Sequence, residues 1–357
     1  MKLTVKTNLL KDLLTKVDKC ATKNKMLPLT GMMRVSVKDN LLTLVTTDGS
    51  NYLYVTETLQ NEDFYVVVDE DVFVKLVSKT TSDVMTFELI DNHLDVKGNG
   101  KYSVELPIDE NGQLIIYPDP VARFVSTNYS LKITPETISL ILKTNKSALS
   151  TSLAEPCYTG YYMGDRVITS DRSVICCNDL YLFDKPKLIN PELMNLLSVF
   201  TGDVVVTFTD NNEIMFTDKN CVAYGHLMSD IDEYNAEAVI KLVDTDMPYT
   251  CDVNRNTLLN SLDRLSLFVS TYDKNAITLK FTNEYLEITN VNSNAVERIK
   301  YAYLTNTSDA SYSVDIEMLE KQLSVQSGDT VEIGYGNDIF LKLVDGDTTQ
   351  LIPLLVE

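Results

Sequence analysis

The sequence predicts an α+β protein made of three repeated domains, at 1–122, 123–245 and 246–357. Three observations predict it. A plan of strand, helix, turn and two strands occurs three times; the 357-residue length suits three units of about 120 residues; and an Asp follows each helix, at 83, 203 and 329. A repeat of that length is a whole domain, not a solenoid unit.

The plan is clearest near the C-terminal end. Residues 312–314 alternate as a strand, Ile316, Leu319 and Leu323 fall at helical spacing, and Ser327-Gly328-Asp329 ends the helix. Residues 331–335 and 339–344 then read as two strands turning at Gly336-Asn337-Asp338. The same order recurs over 64–106, with a helix at 72–77, and over 188–228, with a helix at 193–199. Each domain also opens on such a half. In the first, Leu3-Thr4-Val5 leads into a helix over 8–21 and strands at 34–37 and 42–45. In the second, a strand at 130–133 precedes Thr134-Pro135-Glu136, an N-cap followed by Pro at the first helical position, then strands near 160–163 and 166–169. In the third, a strand at 250–253 precedes a helix over 256–269 and strands at 277–281 and 286–289. Every domain therefore holds two β-α-β-β-type halves, with joints at Tyr117-Pro118-Asp119-Pro120 and at residues 244–248.

Composition sets the class. Apolar content of 44% and charge of 23% are those of a globular protein, and each domain is large enough to bury a core without staples. The opening Met1-Lys2-Leu3-Thr4-Val5 is already a strand alternation, and no apolar run approaches a membrane span, so a cytoplasmic protein without a signal peptide or membrane contact is expected. Cys20, Cys157, Cys176, Cys177, Cys221 and Cys251 form no C-x-x-C; in a strand, Cys176 and Cys177 would point to opposite faces, so buried, reduced thiols are expected. With only His93 and His226, no metal site or cofactor is expected. The absence of P-loop, G-x-G-x-x-G, G-x-S-x-G and H-E-x-x-H motifs argues against an enzyme.

A net charge of −20 argues, taken whole, against nucleic acid. Its distribution reverses that reading. The predicted helical stretches (7–25, 69–82, 134–150, 190–202, 254–271 and 315–328) hold twelve basic and eleven acidic residues, so the net charge lies almost wholly elsewhere. Several of those acids (Asp69, Glu70, Asp71, Glu136, Glu192, Asp315, Glu317) occupy first turns, where the helix dipole favours them. In the first helix Lys11 and Lys19 point away from the apolar side and Lys16 sits on its flank; Lys143 and Lys146 are placed likewise in the second domain, and Arg264 in the third. Lysines at exposed helical positions are ordinarily solvated surface; recurrence in matching elements of three domains favours a shared basic face, although the fourth helix has no basic residue and the sixth only Lys321.

With these features the chain resembles a bacterial-type β sliding clamp, the processivity factor of a replicative DNA polymerase. The matching residues are Met1 to Val5 followed by Leu9-Leu10; Leu27-Pro28-Leu29; residues 42–46 leading into Thr47-Asp48; Asp171 in the equivalent place of domain two; and the closing Leu351-Ile352-Pro353-Leu354. The resemblance spans the whole chain. It implies three DNA-clamp domains closing as a head-to-tail homodimeric ring, with helices lining a pore around duplex DNA bound without regard to sequence. It also implies a non-catalytic role, with the replicative polymerase, the clamp-loader ATPase and other clamp-motif proteins as partners.

Site residues follow by position. DNA-facing candidates are Lys11, Lys16, Lys19, Lys75, Lys79, Lys143, Lys146 and Arg264 on helices, with Lys23 and Lys25 in the loop near the pore mouth. The family's partner-peptide pocket maps to Tyr158, Ser170, Arg172, Val174, Ile175, Ile352, Pro353, Leu354 and Leu355, and the subunit seam to Tyr102, Val104, Phe268 and Val269. The chain departs from the family at this pocket. Where members show Thr-Asp-Gly, an aromatic or His and then a basic residue, it reads Ser170-Asp171-Arg172-Ser173-Val174, and Ile231-Asp232-Glu233-Tyr234 replaces a loop often bearing Pro and Arg. Such divergence fits a phage-encoded member. Arg172 at the rim implies preference for an acidic or polar peptide neighbour. The competing reading is an acidic scaffold of triplicated domains without nucleic-acid binding, and clustering of the helix-borne cations on one surface separates the two.

Overall fold

The computed structural model describes residues 1–127 and 130–355, with residues 304 and 305 as backbone only. The first repeat contains β1 (Lys2–Lys6), α1 (Thr7–Val17), β2 (Met32–Lys38), β3 (Leu41–Thr47), β4 (Tyr52–Thr58), β5 (Phe64–Asp69), α2 (Glu70–Lys79), β6 (Val84–Ile90), β7 (His93–Lys97) and β8 (Lys101–Glu105). The second contains β9 (Ser130–Ile133), α3 (Pro135–Thr144), β10 (Tyr161–Met163), β11 (Val167–Ser170), β12 (Ile175–Asn178), β13 (Lys187–Ile189), α4 (Pro191–Leu196), β14 (Val204–Phe208), β15 (Glu213–Thr217) and β16 (Cys221–His226). After α5 (Ala236–Val243), the third has β17 (Tyr249–Asn254), α6 (Arg255–Ser266), β18 (Ala276–Phe281), β19 (Tyr285–Asn290), β20 (Val296–Asn306), β21 (Ala310–Asp315), α7 (Ile316–Ser324), β22 (Thr330–Tyr335), β23 (Phe340–Asp345) and β24 (Thr348–Pro353).

Repetition extends to single hydrogen bonds. After the second helix of each repeat, two backbone N–H groups left over by the turn are taken by one side chain a hairpin away. Thr81 and Ser82 donate to Asn99 Oδ1, Thr201 and Gly202 to Asp218 Oδ2, and Ser327 and Gly328 to Asp345 Oδ2. The recurring Asp after these helices has its own part. Its carbonyl accepts the first helical N–H of the repeat, Thr7 to Asp83 at 3.0 Å and Arg255 to Asp329 at 2.9 Å. In the middle repeat that first residue is Pro135, which has no N–H to place.

The chain divides into two compact units, Met1–Ile138 with Glu192–Leu227, and Ser139–Pro191 with Met228–Glu357. The first contains an antiparallel sheet in the order β5-β2-β3-β4-β16-β15-β14-β9 and a smaller sheet β1-β6-β7-β8; α1 lies against β3, β4 and α2. The second contains a sheet in the order β13-β10-β11-β12-β24-β23-β22-β17-β20-β19-β18-β21, with α6 and α7 packed together. In each unit, therefore, one sheet continues from one repeat into the next, through β4–β16 and through β12–β24.

Two expectations need correction. The helix predicted over 7–25 stops at Val17; a 3-10 turn covers Asp18–Cys20, and the chain then leaves through a loop in which Lys23 takes φ +52°. The sequence reading also missed α5, which the side chain of Asn235 caps by accepting the Ala238 N–H at 3.2 Å. All six cysteines are buried and free. Burial pushes the thiols of Cys20, Cys177 and Cys251 up to about 12, so they behave as small core hydrophobes.

The repeated cap yields a test. Asp345→Ala removes the acceptor of two N–H groups and is expected to lower stability by about 1–3 kcal/mol in urea unfolding, whereas Asp345→Asn, which restores the first repeat's arrangement, recovers most of the loss.

Candidate functional site

Most candidate DNA-facing cations sit on helices, with Lys23 and Lys25 in the loop after α1, and many have local partners. Lys11 Nζ donates at 2.7 Å to the carbonyl of Thr80, which caps α2. Lys143 Nζ donates to Gln326 O at 3.1 Å and Ser327 Oγ at 2.9 Å, just past α7. Arg255, which the sequence reading did not single out, donates from Nε to Gly328 O at 2.7 Å. In each case a cation meets the carbonyl-rich end of a neighbouring helix, where the dipole is negative. Lys19 Nζ reaches Ser198 Oγ at 3.1 Å, so α1 lies between α2 and the turn that follows α4 in the first unit. In the second unit α7 likewise lies between α6 and the end of α3.

The other cations divide by exposure. Lys23 Nζ pairs with Asp71 Oδ1 at 2.8 Å and Glu70 Oε2 at 3.3 Å, Lys75 pairs with Asp71 at 2.5 Å, and Arg264 grips Glu297 at 2.7 and 2.9 Å. Lys16 is half-buried beside Cys221, where it opposes the burial that pushes that thiol up to about 11. Lys25, Lys79 and Lys146 are exposed, and the first two make no ion pair or hydrogen bond among the described residues. Glu70 is fully buried, and that burial, with Asp18 beside it, pushes its carboxyl up to about 7 against the pull of Lys23.

The loop around Asp171 repeats one in the first domain, bond for bond. Asp48 Oδ1 accepts the N–H groups of Ser50 and Asn51, while Thr47 Oγ1 accepts from Gly49 N and donates to Asn51 O. Asp171 Oδ1 accepts from Ser173 and Val174, while Ser170 Oγ accepts from Arg172 N and donates to Val174 O. The turn needs a left-handed residue in its centre: Gly49 has φ +105° and Arg172 φ +75°. Arginine thus occupies a seat that suits glycine. Its guanidinium pairs with Glu155 at 2.8 Å across a cleft lined by Ser150, Ser152 and Asp171.

The pocket candidates separate onto two faces of the sheet. Ile175 opposes Leu351 in the β12–β24 ladder, and both join Tyr158, Tyr162, Tyr234 and Phe340 in one apolar cluster. The rings of Tyr158 and Tyr162 lie 5.0 and 5.1 Å from that of Tyr234. Val174 faces the other way, against Ala148, Cys176 and Met318, and Ser170 is buried within its turn. Ile352 is fully buried in the core of the third repeat, and Leu354 packs on that same core. Pro353 opposes Phe340, and Leu354 and Leu355 donate their N–H groups to Ile339 O and Ser313 O. The structure thus brings Tyr158 and Ile175 together and sets Val174 and Ile352 apart from them. What the sequence reading missed is Tyr162, Tyr234 and α5, whose Val239 and Val243 cover the cluster. Their signal was the Tyr pair and the Asn-capped apolar run at 235–243.

The seam candidates lie at sheet edges and a helix end. Tyr102, 43% exposed, and half-buried Val104 are on β8, the edge of its sheet. Phe268, 53% exposed, follows α6, while Val269 packs on the core. Nearby, β20 pairs with β19 over residues 296–300 and with β17 only from Tyr301 onward, which leaves one side of 296–300 without a strand partner among the described residues.

No family model matches the sequence, and no curated protein matches it. Solved structures do. The DNA polymerase III β chain of Streptococcus pneumoniae superposes at TM-score 0.84 with 18% identity, over 100% of both chains. The β subunit from the DNA polymerase of Streptococcus pyogenes gives 0.86 and 17%, again over 100% of both, and the DNA polymerase sliding clamp of Bacillus subtilis gives 0.84 and 17%, over 100% of this chain and 99% of that one. At such identity the likeness is one of fold.

Two tests follow from the geometry. Arg172→Gly relieves a left-handed Cβ and is expected to raise stability by about 0.5–1 kcal/mol in urea unfolding, after the gain is reduced by glycine's freer unfolded state. Glu70 binds its proton more tightly folded than unfolded, so its contribution is greatest below the unfolded carboxylate value near 4.5 and is lost as pH rises through about 7. The stability of the wild type relative to Glu70→Gln should accordingly fall across that window, by on the order of 1–3 kcal/mol.

Proposed function

From the sliding-clamp fold we propose that this chain is a non-catalytic processivity factor that encircles duplex DNA and tethers the replicative DNA polymerase. Three domains, at 1–122, 123–245 and 246–357, would close with those of a second copy into a head-to-tail ring. The observation that carries this reading is the placement of cations in the helical layers of both units of a chain whose net charge is −20. A sliding ring needs attraction to phosphates without base readout, which helix-borne Lys and Arg supply, and an acidic remainder discourages DNA elsewhere. Lys16, Lys25 and Lys79 are the residues we assign to DNA first; Lys11, Lys19, Lys23, Lys75, Lys143, Lys146 and Arg264 reach it only by giving up or sharing partners.

For the seam, Tyr102 and Val104 on β8 would meet Phe268 and Val269, with the open side of residues 296–300 available to continue the sheet across the contact. Such a contact is heterologous and closes after two copies. The cluster around Tyr158 and Ile175 is assigned to short apolar peptides of the polymerase, the clamp-loader ATPase and other clamp-motif proteins. The engagement of so many cations by local partners favours the second reading, an acidic scaffold without nucleic acid.

One experiment separates them. The ring predicts a native mass of about 80 kDa, twice the 40.1 kDa chain, and retention on nicked circular DNA after loading, with release when the circle is cut. Phe268→Asp should give monomers by placing an unpaired charge in the seam, and Lys25→Glu with Lys79→Glu should shorten retention without changing the mass. A monomeric parent, or retention that survives linearisation, defeats the ring.

A further inference from the structure

The docking role proposed for the tyrosine cluster leaves the chemistry of its partner open, and the rim beside it supplies that chemistry. A cleft of about 610 Å³ opens there, between Pro186, Tyr162 and residues 231–237. Its floor is apolar and aromatic: Tyr162 and Tyr234 stack at 5.1 Å, Ala236 is buried, and Ile231 packs on the cluster beneath. The hydroxyl of Tyr234 is buried and has no hydrogen-bond partner among the described residues.

The charges around this floor have one sign. Asp232, Glu233 and Glu237 line the cleft, all exposed and in no ion pair among the described residues, and the lining includes no cation. Asp230, just before them, accepts from Ser229 Oγ. The basic residues of the surrounding elements are largely committed. Arg172 pairs with Glu155, Arg166 with Asp179 and Asp244, and Lys342 Nζ donates to the carbonyls of Val243 and Thr245 at the end of α5. Lys185 and Lys187 flank Pro186 in sequence and Lys241 lies one turn beyond Glu237, and none of the three lines the cleft.

We propose that the segment docking in this cleft is a basic, apolar peptide: two or three large apolar side chains for the aromatic floor, flanked by lysines or arginines for the Asp232, Glu233 and Glu237 rim. This rests on the docking role proposed above. It reverses the preference expected from Arg172, because Glu155 already neutralises that guanidinium while the carboxylates at 232, 233 and 237 have no partner. Rim charges of this kind steer encounter and set preference more than they add raw affinity, and their effect fades with salt.

The test uses the full chain and two synthetic peptides sharing a central Leu-Gly-Ile-Phe, one flanked by lysines and the other by glutamates, followed by fluorescence anisotropy. The lysine peptide should bind about 10-fold tighter at low salt, the margin should shrink at high salt, and a double variant carrying Glu233→Lys and Glu237→Lys, both exposed, should invert the order. Equal or tighter binding of the glutamate peptide overturns the basic partner while leaving the docking site standing. Binding of neither peptide, or a lysine preference untouched by the double variant, overturns the docking site itself and the inference with it.

Discussion

The antiparallel pairing of β12 with β24 is the constraint on which the second unit's surfaces depend. Because strand side chains alternate, the register that sets Ile175 against Leu351 fixes two faces at once. One face carries Ile175, Cys177 and Leu351 toward the tyrosine cluster. The other carries Cys176, Asn178, Thr348 and Gln350 toward the helices, where a buried polar network holds them. Asn178 donates to Thr144 and Asn145, Thr348 donates to Asn178, and Gln350 donates to Gln322 while accepting from Gln326. A one-residue slip would bury Ile175 and Leu351 on the polar side and strand these amides, each costing about 1–3 kcal/mol as an unpaired buried group. Shape alone would tolerate several registers; the network leaves one.

Helix ends give the charge pattern its logic. The acids that open helices and the basic residues that close neighbouring ones answer the same macrodipole, so Asp69 and Asp315 cap α2 and α7 while Lys11, Lys143 and Arg255 meet carbonyls at helix ends. A lysine so placed has a structural role and still presents its charge to solvent along the helical layer. Its partner is a neutral carbonyl, not a carboxylate, so the positive charge is oriented without being cancelled. Lys23, Lys75 and Arg264 differ, since each faces an acid that offsets its charge.

The sequence was most informative where periodicity and repetition coincide. The two halves of each repeat, the six helices bearing apolar faces and the Asp at 83, 203 and 329 could be read from residue spacing, and the Thr-Asp and Ser-Asp turns from the resemblance. What could not be read depends on partners distant in sequence. Nothing local says that Asn99, Asp218 and Asp345 complete post-helix turns 16–18 residues earlier, or that Lys11 will find Thr80 rather than solvent. The helix α5 was missed because eight residues between Asp-rich and Pro-rich stretches look like linker. Its apolar side became meaningful only against Tyr234 and the β12–β24 face. Ile352 was assigned to the pocket by its position in the resemblance; the ladder's alternation turns its side chain into the core of the third repeat.

The turns around Asp48 and Asp171 differ where no such network reaches. At Arg172 the backbone is held by bonds from Ser170 and Asp171 that do not involve the central side chain, so the turn forms with arginine where the first domain has Gly49, at the cost of a left-handed Cβ. The arginine side chain pairs with Glu155, which offsets its charge while leaving it exposed. In the segment 230–237 the same freedom runs further, because the segment meets the aromatic cluster through Ile231, Tyr234 and Ala236 while the side chains of Asp232, Glu233 and Glu237 are exposed. Those exposed positions are acidic. A surface whose floor is fixed by the sheet register and whose rim is free to vary can keep an apolar anchor while changing the charge it asks of whatever binds there.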